Sequence, residues 1–240
     1  MDDTSKYIKW VQDVRNCASC NGCSAKAQGY LYNANLPSQS LKMVHKTVVP
    51  QAGFLGPRYF EQEKRILVLG KNPGGGDQAD RYYALQASIV DEQSLEENTT
   101  HIISEVKKRW KPLLNLNIFD SVKAENIAYS NQILCRTNVS ARKLEYANDG
   151  AFEAIYNSCF ENRVLPLIRV LRPHFVIALG EKADNPWPTK LRKLLQATPD
   201  CAEIEVYGIH FPHRVNDETA REELRKVFDS IGACANDHTA

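Results

Sequence analysis

Residues 66–74 read Ile66-Leu67-Val68-Leu69-Gly70-Lys71-Asn72-Pro73-Gly74, and Gly75, Gly76 and Asp77 follow directly. The apolar run fills both faces of an extended segment, which is typical of a fully buried strand in a parallel sheet. The glycine-rich turn indicates a backbone that bends sharply with few side chains in the way. Because open α/β sheets bind ligands where their strands end, this turn is the first candidate site.

Other segments of the chain show strand or helix patterns. Apolar segments typical of strands lie at 126–134, 173–180 and 203–211. Apolar residues recur at helical spacing at 4–15, from a cap within 98–100 to 110, at 151–171, around 190–197, and after a cap at Asp217. Pro166 predicts a kink or a break in the third of these helices. The alternation predicts an α/β fold with a mostly parallel sheet.

Length and composition limit the number of domains, the location and the binding partners that the chain can have. The 240 residues suit a single domain (1–240), in which 1–60 form a cysteine-containing subregion and 232–240 a flexible tail. No apolar run is long enough to span a bilayer, and the first residues lack a signal-peptide pattern. We therefore expect a cytoplasmic protein that does not bind membranes. The formal net charge of +1 neither indicates nor excludes nucleic acid.

The cysteines indicate a metal site. Cys17, Cys20 and Cys23 form C-x-x-C-x-x-C, and four further cysteines are scattered along the chain. In a cytoplasmic protein this pattern favours metal binding over disulfides. Thiolates are soft ligands that select iron–sulfur clusters or zinc. Taken singly, Cys135 and Cys159 are better explained as buried core thiols.

Several separated segments together resemble the uracil-DNA glycosylase superfamily. Residues 70–74 are similar to its G-x-N-P-G first motif. Residues 131–136, Asn-Gln-Ile-Leu-Cys-Arg, resemble the iron–sulfur branch, where a strand asparagine precedes a cluster cysteine. Residues 159–183 resemble the helix, the strand start and the a-L-G-x-x-A turn of that branch. With the C-x-x-C, four motifs occur in the expected order over roughly the whole chain.

The resemblance implies a fold and a cofactor. The fold would have three layers, α/β/α, around a central, mostly parallel four-stranded sheet. A [4Fe–4S] cluster would be held by Cys17, Cys20, Cys135 and Cys159, with zinc as the alternative metal. Cys23 is an alternative ligand in place of Cys17 or Cys20. The cluster would have no redox role and would instead hold the N-terminal helix against the sheet.

The resemblance also implies roles for the polar residues of the motifs. Asn72 would position the attacking water, with Asp77 in reserve as a general base or water holder. Asn131 would pair with the Watson–Crick edge of a base flipped out of DNA, because an amide offers an acceptor and donors side by side. Asparagine cannot accept a proton from water, so stabilisation of the leaving base would supply most of the catalysis.

The remaining site residues follow from the same resemblance. His213 would donate to O2 of the base, with His210 as the alternative, and Arg214 would lie where the loop meets DNA. Tyr83, or its neighbour Tyr82, would stack on the base. The turn would pass close under the flipped nucleotide through Gly70, Pro73 and Gly74.

These roles together predict a monomeric DNA repair glycosylase that excises uracil, or a related deaminated base, and leaves an abasic site. The iron–sulfur branch usually has an acidic residue where this chain has Lys71, so hypoxanthine, xanthine or mismatched thymine are alternative substrates. The second motif lacks Pro-Ser after His213. A nucleic-acid-binding protein of the same fold without catalysis is therefore the alternative. A nucleotide hydrolase ranks last because the chain lacks G-K-[ST].

Overall fold

Helices and strands alternate along the chain. In this computed structural model, the described residues are 1–15, 17, 19, 23, 52–71, 88–109, 124–135, 150–179, 186–210 and 217–232. The elements are α1 (Asp3–Arg15), β1 (Phe54–Leu55), β2 (Ile66–Gly70), α2 (Glu92–Arg109), β3 (Ile127–Asn131), α3 (Ala151–Cys159), a π-helical turn (Phe160–Val164), α4 (Leu165–Leu171), β4 (Phe175–Leu179), α5 (Pro186–Gln196), β5 (Glu205–Ile209) and α6 (Asp217–Ile231).

The strands form one sheet in the order β1-β3-β2-β4-β5. β4 is parallel to both of its neighbours, β2 and β5, whereas β1 is antiparallel to β3. The predicted α/β class and mostly parallel sheet are confirmed. The expected number of four strands was wrong, because β1 adds a fifth at the edge. A strand of two residues is too short to show alternation in sequence, so only its pairing reveals it.

β2 is a fully buried strand, as its sequence predicted, with all five residues buried. Its start is joined to the start of β4, since the Arg65 backbone N–H donates to His174 Nδ1 at 3.1 Å. Burial lowers the pKa of His174, and the Arg65 charge lowers it further, so the neutral ring can accept this hydrogen bond. The parallel register then places the ends of both strands, Gly70 and Leu179, at the same end of the sheet.

Helix α2 begins earlier than its apolar spacing predicted. The Ser94 backbone N–H donates to Asp91 Oδ1 at 2.9 Å, and the Asp91 backbone N–H donates to Ser94 Oγ at 3.0 Å. This reciprocal pair caps the helix and satisfies two of its free N–H groups. The expected cap within 98–100 was wrong, because Asn98 lies inside the helix with its Nδ2 donating to the Ser94 carbonyl at 2.6 Å.

The irregularity expected at Pro166 is a π-helical turn directly before it. The Leu165 backbone N–H donates to the Phe160 carbonyl, five residues back. Proline lacks an N–H, and its ring clashes with the carbonyl four residues earlier in a regular α-helix. The wider turn separates the two α-helical segments, α3 and α4, without interrupting the run of helical residues from 151 to 171.

Two compact units make up the chain, and each is built from several segments. The first comprises Met1–Gly53, Lys71–Asn98 and Ser130–Leu171, and the second comprises Phe54–Gly70, Thr99–Tyr129 and Arg172–Ala240. In the first unit, α1 packs against α4. Its Trp10 Nε1 donates to the Arg163 carbonyl at 3.0 Å. None of the described helices is long and apolar enough to cross a membrane.

The second unit buries the apolar face of α6, formed by Leu224, Val227, Phe228 and Ile231. This is the face that its sequence pattern predicted. Asp217, the residue expected to cap helix α6, is its first residue. Lys64 Nζ donates to the Ile231 carbonyl at 2.7 Å at the end of this helix. A cation is favourable there, because the C-terminal carbonyls of a helix carry partial negative charge.

Candidate functional site

Consecutive polar side chains are buried at the end of β3: Ser130, Asn131 and Gln132. Buried polar groups are costly unless they are hydrogen-bonded, so a run of them needs a reason. Ser130 Oγ donates to the Ala52 carbonyl at 2.8 Å, which fixes the end of the strand. Gln132 Oε1 accepts a hydrogen bond from the Tyr156 hydroxyl at 2.6 Å. Asn131, the predicted base-reading residue, is only 5% exposed between them.

The segment after Asn131 is bonded to the start of the glycine-rich turn. The Ile133 backbone N–H donates to the Lys71 carbonyl at 2.9 Å. Lys71 directly precedes Asn72, and Ile133 lies two residues after Asn131. The structure thus joins Lys71, a described residue of the first motif, to the 131–136 segment. Five of the predicted site residues in or after the turn lie outside the described residues: Asn72, Pro73, Gly74, Asp77 and Tyr83.

Two of the predicted cluster ligands meet at the same segment. Cys135 and Cys159 are both buried, reduced thiols. The Leu134 backbone N–H, next to Cys135, donates to Cys159 Sγ at 3.2 Å. Hydrogen bonds from backbone N–H groups to sulfur stabilise thiolates and tune metal–thiolate centres. The loop after β3 therefore contacts the turn with one residue and the cysteine helix α3 with the next.

Cys17 lies beside the π-helical turn that follows Cys159. Arg163 Nε donates to Cys17 Sγ at 2.9 Å, and Cys17 Sγ and Ser19 Oγ are 3.1 Å apart. Ser158 Oγ donates to the Ser19 carbonyl at 2.8 Å and so holds this segment to the helix. Burial alone would raise the pKa of Cys17. The hydrogen bonds from Ser19 and Arg163, together with the Arg163 charge, outweigh it and lower this pKa below its ordinary value.

Thiols from separate segments are therefore gathered along one stretch of helix in the first unit. Cys23 Sγ also reaches it, donating to the Ala154 carbonyl at 3.7 Å. The donor chemistry suits a thiolate-ligated metal, since thiolates are soft ligands and the sulfurs of Cys17 and Cys159 receive hydrogen bonds. Within the described ranges, no three His, Cys, Asp or Glu side chains are close enough to hold a metal ion. Cys20, the fourth predicted ligand, lies outside those ranges.

A separate histidine is held in place in the second unit. His210 follows the end of β5, and Glu223 lies on α6. Glu223 Oε2 accepts from the His210 backbone N–H at 2.9 Å, and Glu223 Oε1 lies 2.5 Å from His210 Nδ1. One carboxylate thus fixes both the backbone and the ring of this histidine. His213 and Arg214, the predicted second-motif residues, lie outside the described residues.

Sequence reasoning missed the residues that position these groups. Arg163 is four residues after Cys159, a spacing that predicts one helix face for both, but its contact with Cys17 had no signal in the sequence. Gln132 belongs to a run of polar residues, 130–132, within the predicted strand at 126–134, and that run was the available signal. Glu223 gave no signal, because it belongs to an ordinary run of charged residues on α6.

A scan against protein-family models and a search of the curated proteins both found no match to this chain. The described residues form an α/β protein whose first unit holds the buried Asn131, the hydrogen bond between Ile133 and Lys71, and a helix that carries the buried Cys159. The resemblance to the uracil-DNA glycosylase superfamily stays a prediction from the sequence motifs.

Proposed function

We propose that this protein is a DNA glycosylase with a three-layer α/β/α fold of the uracil-DNA glycosylase type. It would hydrolyse the N-glycosidic bond of uracil, or of a related deaminated base, flipped out of DNA. One contact supports this most directly: the hydrogen bond from the Ile133 N–H to the Lys71 carbonyl. It links the turn that carries Asn72 to the segment that carries Asn131, as a single substrate site requires.

The chemistry suits this pair of amides. Cleavage of the bond leaves an oxocarbenium-like sugar and an anionic base. Asn131, as a buried amide, would hold the edge of the base with an acceptor and a donor, and donation to the leaving base strengthens as its negative charge grows. Asn72 would orient the water that attacks the sugar. Burial of Asn131 matters here, because hydrogen bonds are stronger where water is excluded.

The cysteines support the cofactor part of the proposal. Cys17, Cys20, Cys135 and Cys159 would hold a [4Fe–4S] cluster, with zinc as the alternative metal. When bound, the cluster would act as a structural crosslink. Arg163 would place a positive charge beside Cys17 and offset part of the charge of a thiolate-ligated centre. The Leu134 N–H would offset part of that charge at Cys159 through its hydrogen bond to Sγ.

The proposal is tested with oligonucleotides that carry one uracil, hypoxanthine, xanthine or mismatched thymine, in single and double strands. Each is incubated with the anaerobically purified protein, and abasic sites are then cleaved with alkali. We expect strand cleavage for at least one deaminated base and none for undamaged DNA. Tight DNA binding without cleavage of any substrate would instead support a binding protein that lacks the catalytic activity.

Glu223→Ala is expected to slow excision about tenfold. Glu223 accepts hydrogen bonds from the His210 backbone N–H and from its ring, and so gives the alternative histidine to His213 the fixed orientation that a catalytic imidazole needs. Removal of the carboxylate frees the ring. Glu222→Ala is the matched control, since the neighbouring Glu222 contacts only exposed Lys226 in the described structure. If Glu223→Ala matches wild type and His213→Ala does not, the role belongs to His213.

A further inference from the structure

Gln132 has a buried amide group that is only half satisfied. Its side chain is 1% exposed. Oε1 accepts from the Tyr156 hydroxyl, whereas Nε2 has no hydrogen-bond partner among the described residues. Buried side-chain polar atoms are nearly always paired with protein, water or ligand. An amide nitrogen left without a protein partner therefore indicates that something else accepts its hydrogen bond.

Tyr156 determines which end of the amide is available. Its side chain is fully buried, and its ring packs edge-on against Phe152 with centroids 5.5 Å apart. The phenol proton needs an acceptor in this environment, and the carbonyl oxygen of Gln132 supplies it. The opposite end, the NH2 group with its two donors, is consequently the end left without a partner among the described residues. Gln132 is thus oriented as a donor.

The position of Gln132 in the chain connects this donor to the proposed substrate site. It stands between Asn131, the proposed base-reading residue, and Ile133, which is bonded to the glycine-rich turn through Lys71. The other described atoms of this kind, Tyr59 Oη and Asn126 Oδ1, belong to the second unit and lie outside the two motifs. Among the residues that the structure describes, only Gln132 has an unpaired buried polar atom and also lies in a predicted recognition segment.

We infer that Gln132 is a second base-reading residue, whose Nε2 donates to a carbonyl oxygen of the base held by Asn131. The inference rests on the proposed function and narrows its substrate class. Deamination replaces an exocyclic amino group, which donates, by a carbonyl, which accepts. A fixed donor therefore favours uracil, hypoxanthine and xanthine over cytosine and adenine, whose amino groups would oppose it.

The test uses Gln132→Leu, which keeps the size of the side chain and removes the donor. Excision of the best base is expected to slow about tenfold, the usual effect of losing one neutral hydrogen bond. Excision by Gln132→Glu should be slower still, because a carboxylate repels a carbonyl oxygen. This second variant tests the inference if Gln132→Leu does not fold. Tyr59→Phe is the matched control, since it removes another buried unpaired atom and should leave excision unchanged.

A second measurement separates recognition from support of the fold. Binding of free uracil and free cytosine is followed by calorimetry, and the preference for uracil should fall about tenfold in Gln132→Leu. Equal excision and equal preference in wild type and Gln132→Leu would overturn the inference while leaving the glycosylase proposal intact. If wild type excises nothing, the proposed function fails. The inference then stands only if wild type binds free uracil and Gln132→Leu weakens that binding.

Discussion

Replacing Asn131 by alanine is expected to slow base excision at least about a hundredfold without unfolding the protein. The amide would make paired hydrogen bonds to the base edge, and the donor would strengthen as negative charge develops on the leaving base. Removing a single donor of this kind typically costs 10²–10³ in rate. The measurement is the single-turnover rate on the preferred oligonucleotide with enzyme in excess, together with the melting temperature of the variant.

Asn98 provides the matched control for this prediction. Its side chain is buried as deeply as that of Asn131, at 6% against 5% exposure. Its Nδ2 donates to the Ser94 carbonyl and to Ser88 Oγ, so its contacts are structural. Asn98→Ala should therefore lower the stability by about 1–3 kcal/mol and leave the excision rate unchanged. The opposite outcome, in which Asn98→Ala loses activity and Asn131→Ala does not, would show that the site is wrongly placed.

The regular elements were predictable because burial leaves a periodic trace in the sequence. The apolar run at 66–70 and the spacing of Leu224, Val227 and Phe228 each identified an element and its buried face. Irregular features left weaker traces. The two-residue strand β1 has no period to detect, and the first turn of α2 is polar. Pro166 predicted an irregularity, but a π-helical turn and a kink follow from the same proline, and only the backbone distinguishes them.

The site was predictable in its parts and less so in its assembly. The sequence placed Asn131 at the end of one strand and Lys71 at the end of another. The hydrogen bond between their segments forms because β3 and β2 are neighbours, and only the strand order of the sheet shows this. The contact of Arg163 with Cys17 joins residues 146 positions apart. Such pairs have no local signature, because tertiary packing selects them. The motif order supplied the expected ligands, and the positioning residues emerged only from the structure.

Exchange of Cys159 for serine is expected to remove most of the bound iron and the visible absorption of the anaerobically purified protein. Serine keeps the size of the side chain but is a hard, neutral ligand that iron–sulfur clusters bind poorly. Cys201→Ser is the matched control, because Cys201 is also a buried thiol but lies in a 3₁₀ turn that has no predicted ligand role. Iron and sulfide content, measured per protein chain, should fall in the first variant and stay constant in the second.

The physical reason for a large effect lies in how the first unit is joined. Cys17, the loop after β3 and the helix that carries Cys159 come from distant parts of the sequence. In the described residues they are linked by hydrogen bonds of Leu134, Tyr156, Ser158 and Arg163. A cluster bound by all three segments would add its binding free energy to folding, so its loss should lower the melting temperature as well as the iron content.

Cys23→Ser should keep the iron content and the melting temperature of wild type, unless Cys23 replaces Cys17 or Cys20. A colourless, zinc-containing wild type would overturn the choice of metal, and full iron in Cys159→Ser would overturn the choice of ligand.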